Sequence, residues 1–200
     1  MAYPTVSGPY GLEPINLVGG QVFAGQTRLI PIASGSTTAI YYGDVVALNT
    51  AGTLDKVATT ATAANAIGVF LGCTYTSPVT NQKLNAQYYP GAIVASDIQA
   101  YVQDDYDQLY KVAVVSSGTT IGGLTQAAVG QNVSLVQNAG STITGDSKVA
   151  VLNSTGAATS LPFRVVAGIP ETVNASGSYT EVVVKFNFGI HTYTNPAGVA

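Results

Sequence analysis

The chain has 200 residues, of which 46% are hydrophobic and 8% are charged, and its formal net charge is −3. This length can bury a core in one or two small domains, and the high hydrophobic content excludes an intrinsically disordered chain. The seven Lys and Arg residues are scattered along the chain, so we expect no nucleic-acid partner. No apolar run reaches the ~18 residues of a membrane-spanning helix and no signal peptide is recognisable, so we expect a soluble protein without a membrane partner.

The first 25 residues are rich in proline and glycine. Proline lacks the backbone N–H that helices and sheets use, so Pro4, Pro9 and Pro14 argue against a regular element here. We interpret residues 1–25 as an extended arm that contacts a neighbouring subunit.

Residues 26–115 show strand periodicity and predict a β-barrel core of short antiparallel strands. The predicted strands cover residues 28–33, 39–42, 44–48, 53–57, 66–75, 92–94, 98–102 and 109–115. The strands at residues 44–48 and 53–57 flank a turn in which Gly52 can adopt the left-handed conformation, which predicts a hairpin. The consecutive apolar residues 67–72 are typical of a strand covered on both faces.

Residues 116–200 predict an additional β-rich region that packs on or beside this core. A loop rich in Ser, Thr and Gly comes first, and residues 124–129 could form one or two helical turns. Further strands are predicted at residues 133–136, 148–152, 163–167 and 180–188. In the last of them Val182, Val184 and Phe186 should share one face. The fold class is therefore predicted to be all-β.

Residues that could carry chemistry are few, and we predict no catalytic residue, no cofactor and no metal site. The one histidine, His191, is expected to be a structural or exposed residue at a strand end rather than a catalytic base. The one cysteine, Cys73, lies in an apolar run and is expected to be buried. Asp104, Asp105 and Asp107 could bind calcium, but we favour a solvated hairpin turn between the flanking strands.

The chain contains twelve tyrosines and no tryptophan. The pairs Tyr41-Tyr42 and Tyr88-Tyr89 could form a carbohydrate-binding surface. Neighbouring residues on a strand point to opposite faces, so we favour tyrosines of the core and of interfaces.

Three segments resemble the head decoration, or cement, proteins of tailed bacteriophages. They are residues 43–48 (GDVVAL), 51–57 (AGTLDKV) and 66–72 (AIGVFLG). The opening residues 2–5 (AYPT) and 10–15 (YGLEPI) are also similar to small structural proteins of marine and cyanobacterial phages.

This resemblance implies a β-tulip type of barrel and a structural function without enzymatic activity. The protein is expected to be made in the host cytoplasm and to bind the outside of the phage head. There it is expected to clamp adjacent major capsid subunits against the internal pressure of DNA. The expected partners are the major capsid protein and further copies of the chain, as a dimer or trimer. A tail-tube or fibre component and a carbohydrate-binding adhesin remain the alternatives.

Overall fold

The computed structural model describes residues 6–57, 66–187 and 191–194. Within these residues the regular structure consists of thirteen strands and two single 3₁₀ turns, Gln126–Ala128 and Pro170–Thr172, which confirms the all-β prediction. The strands are β1 (Glu13–Leu17), β2 (Arg28–Pro31), β3 (Val45–Leu48), β4 (Leu54–Lys56), β5 (Ala66–Thr76), β6 (Lys83–Ala86), β7 (Gln99–Gln103), β8 (Gln108–Ser117), β9 (Thr120–Ile121), β10 (Asn132–Val136), β11 (Ala150–Gly156), β12 (Phe163–Gly168) and β13 (Glu181–Phe186). None of the described segments is a helix long and apolar enough to cross a membrane.

Five strands close into a barrel in the order β8-β11-β10-β12-β13, because β13 pairs again with β8. The strand β11 runs parallel to β8, and the other four pairings are antiparallel. Val182, Val184 and Phe186 point together into the barrel core, as their alternation predicted. The strands β1 and β9 pair with β8 outside this closed ring.

The remaining strands form an open sheet in the order β2-β7-β5-β3-β4, with β6 paired to β5. Its central strand β5 belongs to two hydrophobic clusters. Val69 packs in the cluster that fills the barrel, whereas Ile67 and Phe70 pack in a second cluster with Ile40 and Tyr89. Both faces of β5 are therefore covered, as the consecutive apolar residues predicted.

The closed barrel lies in a different part of the chain from the one predicted. It uses strands between Gln108 and Phe186, whereas the strands between Arg28 and Gln103, inside the predicted core of residues 26–115, form the open sheet. Periodicity identifies a strand and its buried face, but closure depends on partners that are distant in sequence. In this chain β8 closes the ring by pairing with β11 and β13.

Two predicted strands are absent, and three strands, β1, β6 and β9, were missed. Residues 39–42 contribute only isolated bridges, from Ile40 to Tyr89 and from Tyr42 to Asp146. Residues 92–94 cannot continue a strand because Ala92 has a φ of 56°. The missed strand β6 has only four residues and is mostly exposed at a sheet edge, so it has no buried apolar face that would mark it in the sequence. The hairpin β3–β4 is confirmed, and Gly52 has a φ of 74°.

Part of the predicted arm packs on its own chain instead of extending away from it, while the contact of residues 1–25 with a neighbouring subunit stays a prediction. Leu12 is fully buried in the barrel cluster, and β1 pairs with β8. Because β1 is an edge strand with one neighbour, Pro14 can be accommodated there without breaking a ladder on the other side. Most of residues 18–27 is exposed, and Val22 is 77% accessible.

Candidate functional site

The acidic loop 104–107 connects the open sheet to the barrel, so the predicted hairpin is wrong: β7 and β8 belong to different sheets. Asp104 forms an ion pair of 2.9 Å with Arg28, and Asp107 forms one of 2.8 Å with Lys185. A carboxylate oxygen of Asp105 accepts a hydrogen bond of 2.8 Å from the backbone N–H of Asp107. The three carboxylates therefore have separate partners and do not converge.

The described residues contain no group of three or more His, Cys, Asp or Glu side chains that could hold a metal ion. Cys73 is fully buried, its thiol donates a weak hydrogen bond of 3.6 Å to the carbonyl of Tyr88, and burial raises its pKa to about 12. A thiol in this state is not a nucleophile at neutral pH. The prediction of a buried structural cysteine is confirmed.

His191 is fully buried, and it lies among the rings of Tyr106, Phe186 and Tyr193 at centroid distances of 5.8, 5.8 and 5.2 Å. Burial lowers its pKa, which backbone and carboxylate groups of Asp104 partly oppose. The histidine is thus a packed residue beside the acidic loop. No sequence pattern indicated that these two parts of the chain meet.

The tyrosine pairs do not form an open platform for a sugar. Tyr41 and Tyr88 stack on each other with ring centroids 5.4 Å apart, and Tyr41 is only 9% accessible. A Cβ atom added to Gly140 would lie 2.4 Å from the Tyr41 ring, so that glycine also packs closely against it. Tyr89 is fully buried and donates a hydrogen bond of 3.0 Å to the carbonyl of Ser36. The preference for core tyrosines is confirmed for Tyr41 and Tyr89.

The motif at residues 43–48 has a structural function that sequence analysis did not predict. Asp44 is completely buried, and its carboxylate accepts hydrogen bonds of 2.8 Å from the backbone N–H of Tyr41 and 2.6 Å from the hydroxyl of Ser147. The ammonium group of Lys56 lies 2.8 Å from the same carboxylate. Asp44 thereby joins the β3–β4 hairpin to the segment that precedes β11.

The glycine of this motif holds the N-terminal segment against the open sheet. Gly43 has a φ of 88°, and its carbonyl accepts a hydrogen bond of 3.0 Å from the N–H of Leu12. A Cβ atom at Gly43 would lie 3.1 Å from the Cα atom of Gly11. The two backbones approach so closely that glycine is required at the crossing.

A second polar cluster fastens the N-terminal segment to the barrel. The hydroxyl of Tyr10 donates a hydrogen bond to Glu181, and Lys111 forms an ion pair of 2.9 Å with Glu13. The pKa of Tyr10 is raised, first by burial and then by the neighbouring Glu181. These charged side chains are paired with one another within the chain and stabilise the fold.

Exposed apolar side chains lie at one end of the open sheet, in the loops after β5 and before β7. We define the tip patch as Pro78, Val79, Val94 and Ala95, and the side chains of Val79 and Val94 are 87% and 69% accessible. Three of the four, all except Val79, line a shallow cavity of about 400 Å³. Between Lys56 and Asp97 the chain has a single charged residue, Lys83. The tip patch is therefore the candidate interaction surface, although the predicted interface was the N-terminal arm.

The tip patch is held in place by the sheet. Asp97 accepts hydrogen bonds of 3.0 Å from the backbone N–H and 2.7 Å from the hydroxyl of Thr76, the last residue of β5. The N–H of Ser77 donates a bond of 2.9 Å to the carbonyl of Gln82 and closes the turn that carries Val79. A turn anchored in this way presents its apolar side chain in a defined position.

Comparison of the chain with protein-family models, curated proteins and solved structures finds no significant match.

Proposed function

We propose that this protein is a structural virion component that decorates the outside of a tailed-phage head and clamps adjacent major capsid subunits. The observation that carries the proposal is the tip patch, whose Val79 and Val94 are exposed on two loops; residues 57–96 contain one charge, Lys83, and the carboxylate of Asp97 lies beside the patch. The resemblance of residues 43–72 to decoration proteins supplies the identity of the partner.

The chemistry of the patch indicates what kind of surface it would contact. A charged partner surface would lose its hydration on binding and find little compensation here, because the one carboxylate beside the patch, Asp97, already accepts two hydrogen bonds from Thr76. An uncharged surface of aliphatic and hydroxyl side chains avoids this penalty. Because the turn is already anchored by Asp97, little conformational entropy is lost on binding.

A single patch of this size binds weakly, but a capsid presents the same site many times. Two contacts made by one clamping protein, or by linked copies of it, raise the effective affinity without any new type of contact. Since a protein that binds only the assembled lattice stabilises that state, its binding should also protect the head against rupture.

The test uses phage heads that lack the protein. Purified chain should bind them to saturation at a ratio set by capsid symmetry, should raise the temperature at which the heads rupture, and should stay bound as salt concentration rises, because few charges contribute. The pair of substitutions Val79→Ser and Val94→Ser should weaken binding at least tenfold.

The matched control is Ile143→Ser, which alters an aliphatic side chain that is 95% accessible on a different loop. It should leave binding unchanged. Glycan binding by the free protein, together with no saturable binding to heads, would overturn the proposal in favour of an adhesin. Binding to heads that survives the double substitution would move the interface away from the tip patch.

A further inference from the structure

The C-terminal turn 191–194 contacts both sheets. The backbone N–H of Thr192 donates a hydrogen bond of 2.9 Å to the carbonyl of Ala66 at the start of β5. The hydroxyl of Tyr193 donates one of 3.1 Å to Asp104, and the guanidinium of Arg28 lies 4.8 Å from the centre of the Tyr193 ring. The turn thus spans the first residues of β2 and β5 and the loop between the sheets.

The geometry around His191 fits a neutral imidazole. Its Nδ1 accepts a hydrogen bond of 3.4 Å from the backbone N–H of Tyr193, which requires a lone pair on that nitrogen. Nε2 is buried and has no partner of good geometry among the described residues. We call the rings of Tyr106, Phe186 and Tyr193 around His191 the aromatic cage. A proton added at Nδ1 would turn this acceptor into a donor that faces the N–H of Tyr193, which is unfavourable inside the cage.

Burial and the charged groups around the cage shift the pKa of His191 in opposite directions. The carboxylates of Asp104 and Asp105, with backbone groups of Asp104 and Ile67, favour a protonated imidazole and raise its pKa. Desolvation is the larger effect and lowers the pKa below the ordinary value of 6.5. Arg28 and Lys185 are positive groups that lie over the rings of Tyr193 and Tyr106.

We propose that the turn 191–194 is an acid-released clasp, in which protonation of His191 detaches the turn from both sheets while the two sheets remain folded. The turn is short and lies outside the strands of both sheets, so it can open without the global unfolding of the barrel. Detachment exposes Ala66, Asp104 and the aromatic cage. The device does not depend on which partner the protein has.

The sign of the pH effect follows from the lowered pKa. The open turn binds a proton more readily than the closed one, so closure is complete above the ordinary value of 6.5 and is lost as the pH falls towards the folded value. In that interval the equilibrium constant for closure should fall by about tenfold per pH unit.

Two measurements on the unmodified chain test this. Since His191 is the only histidine, its imidazole resonances in NMR can be followed without ambiguity, and they should titrate below pH 6.5. Hydrogen-exchange protection factors of Thr192 and Thr194, corrected for intrinsic rates, should fall by about tenfold per pH unit below this value, while those of β5 and β13 should not change.

The variant His191→Phe keeps an aromatic ring in the cage but cannot be protonated. Its turn should stay protected between pH 7.5 and 5, and Tyr193→Phe, which retains the ring and loses the bond to Asp104, should remain pH-dependent. A His191 that titrates at or above 6.5, or unmodified protein whose turn is equally protected at pH 7.5 and 5, would overturn the proposal. So would an equal pH dependence in His191→Phe.

Discussion

The buried carboxylate of Asp44 allows the sharpest test of how the two sheets are held together. The substitution Asp44→Ala removes the acceptor for Tyr41 and Ser147 and leaves the ammonium group of Lys56 without its counter-ion. The side chain of Lys56 is only 13% accessible, so water restores little of the lost interaction. We expect a large loss of stability from this single change.

The magnitude follows from the burial of the pair. Removing one partner of a buried ion pair costs about 3–5 kcal/mol. The long Lys56 side chain can turn partly towards solvent, so we take the lower end, about 3 kcal/mol. For a chain of this size each kcal/mol lowers the melting temperature by about 2–4 °C, which gives a decrease of about 6–12 °C.

Urea denaturation followed by circular dichroism measures the free energy of unfolding, and calorimetry measures the melting temperature. The matched control is Asp55→Ala on the same hairpin, where the half-buried carboxylate accepts one side-chain hydrogen bond from Asn49 and its loss should cost about 1 kcal/mol. The double variant Asp44→Ala/Lys56→Met should be more stable than the sum of the two single losses predicts. If Asp44→Ala is no more destabilising than Asp55→Ala, the buried ion pair is not a structural link.

Three further predictions concern packing and alkaline pH. Leu12→Ala should lower the free energy of unfolding by about 2–5 kcal/mol in urea denaturation, because this side chain is fully buried in the barrel cluster; an unchanged midpoint would mean that the N-terminal segment is dispensable for folding. Gly140→Ala should cost about 1–3 kcal/mol because its Cβ atom would lie 2.4 Å from the Tyr41 ring, whereas Gly8→Ala, with open space around it, should be neutral in the same calorimetric comparison. Burial raises the pKa of Tyr110 well above 10.0, so the neutral phenol stabilises the folded state below pH 10.0 and this contribution is lost as the pH rises. Unfolding midpoints between pH 9 and 11.5 should therefore fall less steeply in Tyr110→Phe than in the unmodified protein. Equal slopes would contradict this raised pKa.

Much of the secondary structure could be predicted because it depends on neighbouring residues. The hairpin β3–β4 follows from two apolar runs around Gly52, and the alternation of β13 predicts which of its side chains enter the core. The long apolar strand β5 could be recognised as buried on both faces for the same reason. These features are properties of a single segment, and a segment's own pattern is sufficient to identify them.

The choice of sheet partners could not be predicted from the same patterns. Strands β7 and β8 are separated by four residues and look like a hairpin, yet they belong to different sheets. The ring closes because β8 pairs with β11 and β13, which lie far along the chain. Backbone hydrogen bonds are alike for every strand, so only the packing of whole faces selects one pairing over another.

The polar residues also divide into properties that the sequence determines and contacts that only the tertiary structure determines. The sequence alone determined that Cys73 would be buried and that charges would be scarce, since both follow from composition and local hydrophobicity. It did not determine that Asp44 would meet Ser147, or that His191 would lie beside Asp104. These pairs are about 90–100 residues apart in the chain, and they meet only after the two sheets have packed, because a buried polar group takes whatever partner the tertiary structure brings within hydrogen-bond distance.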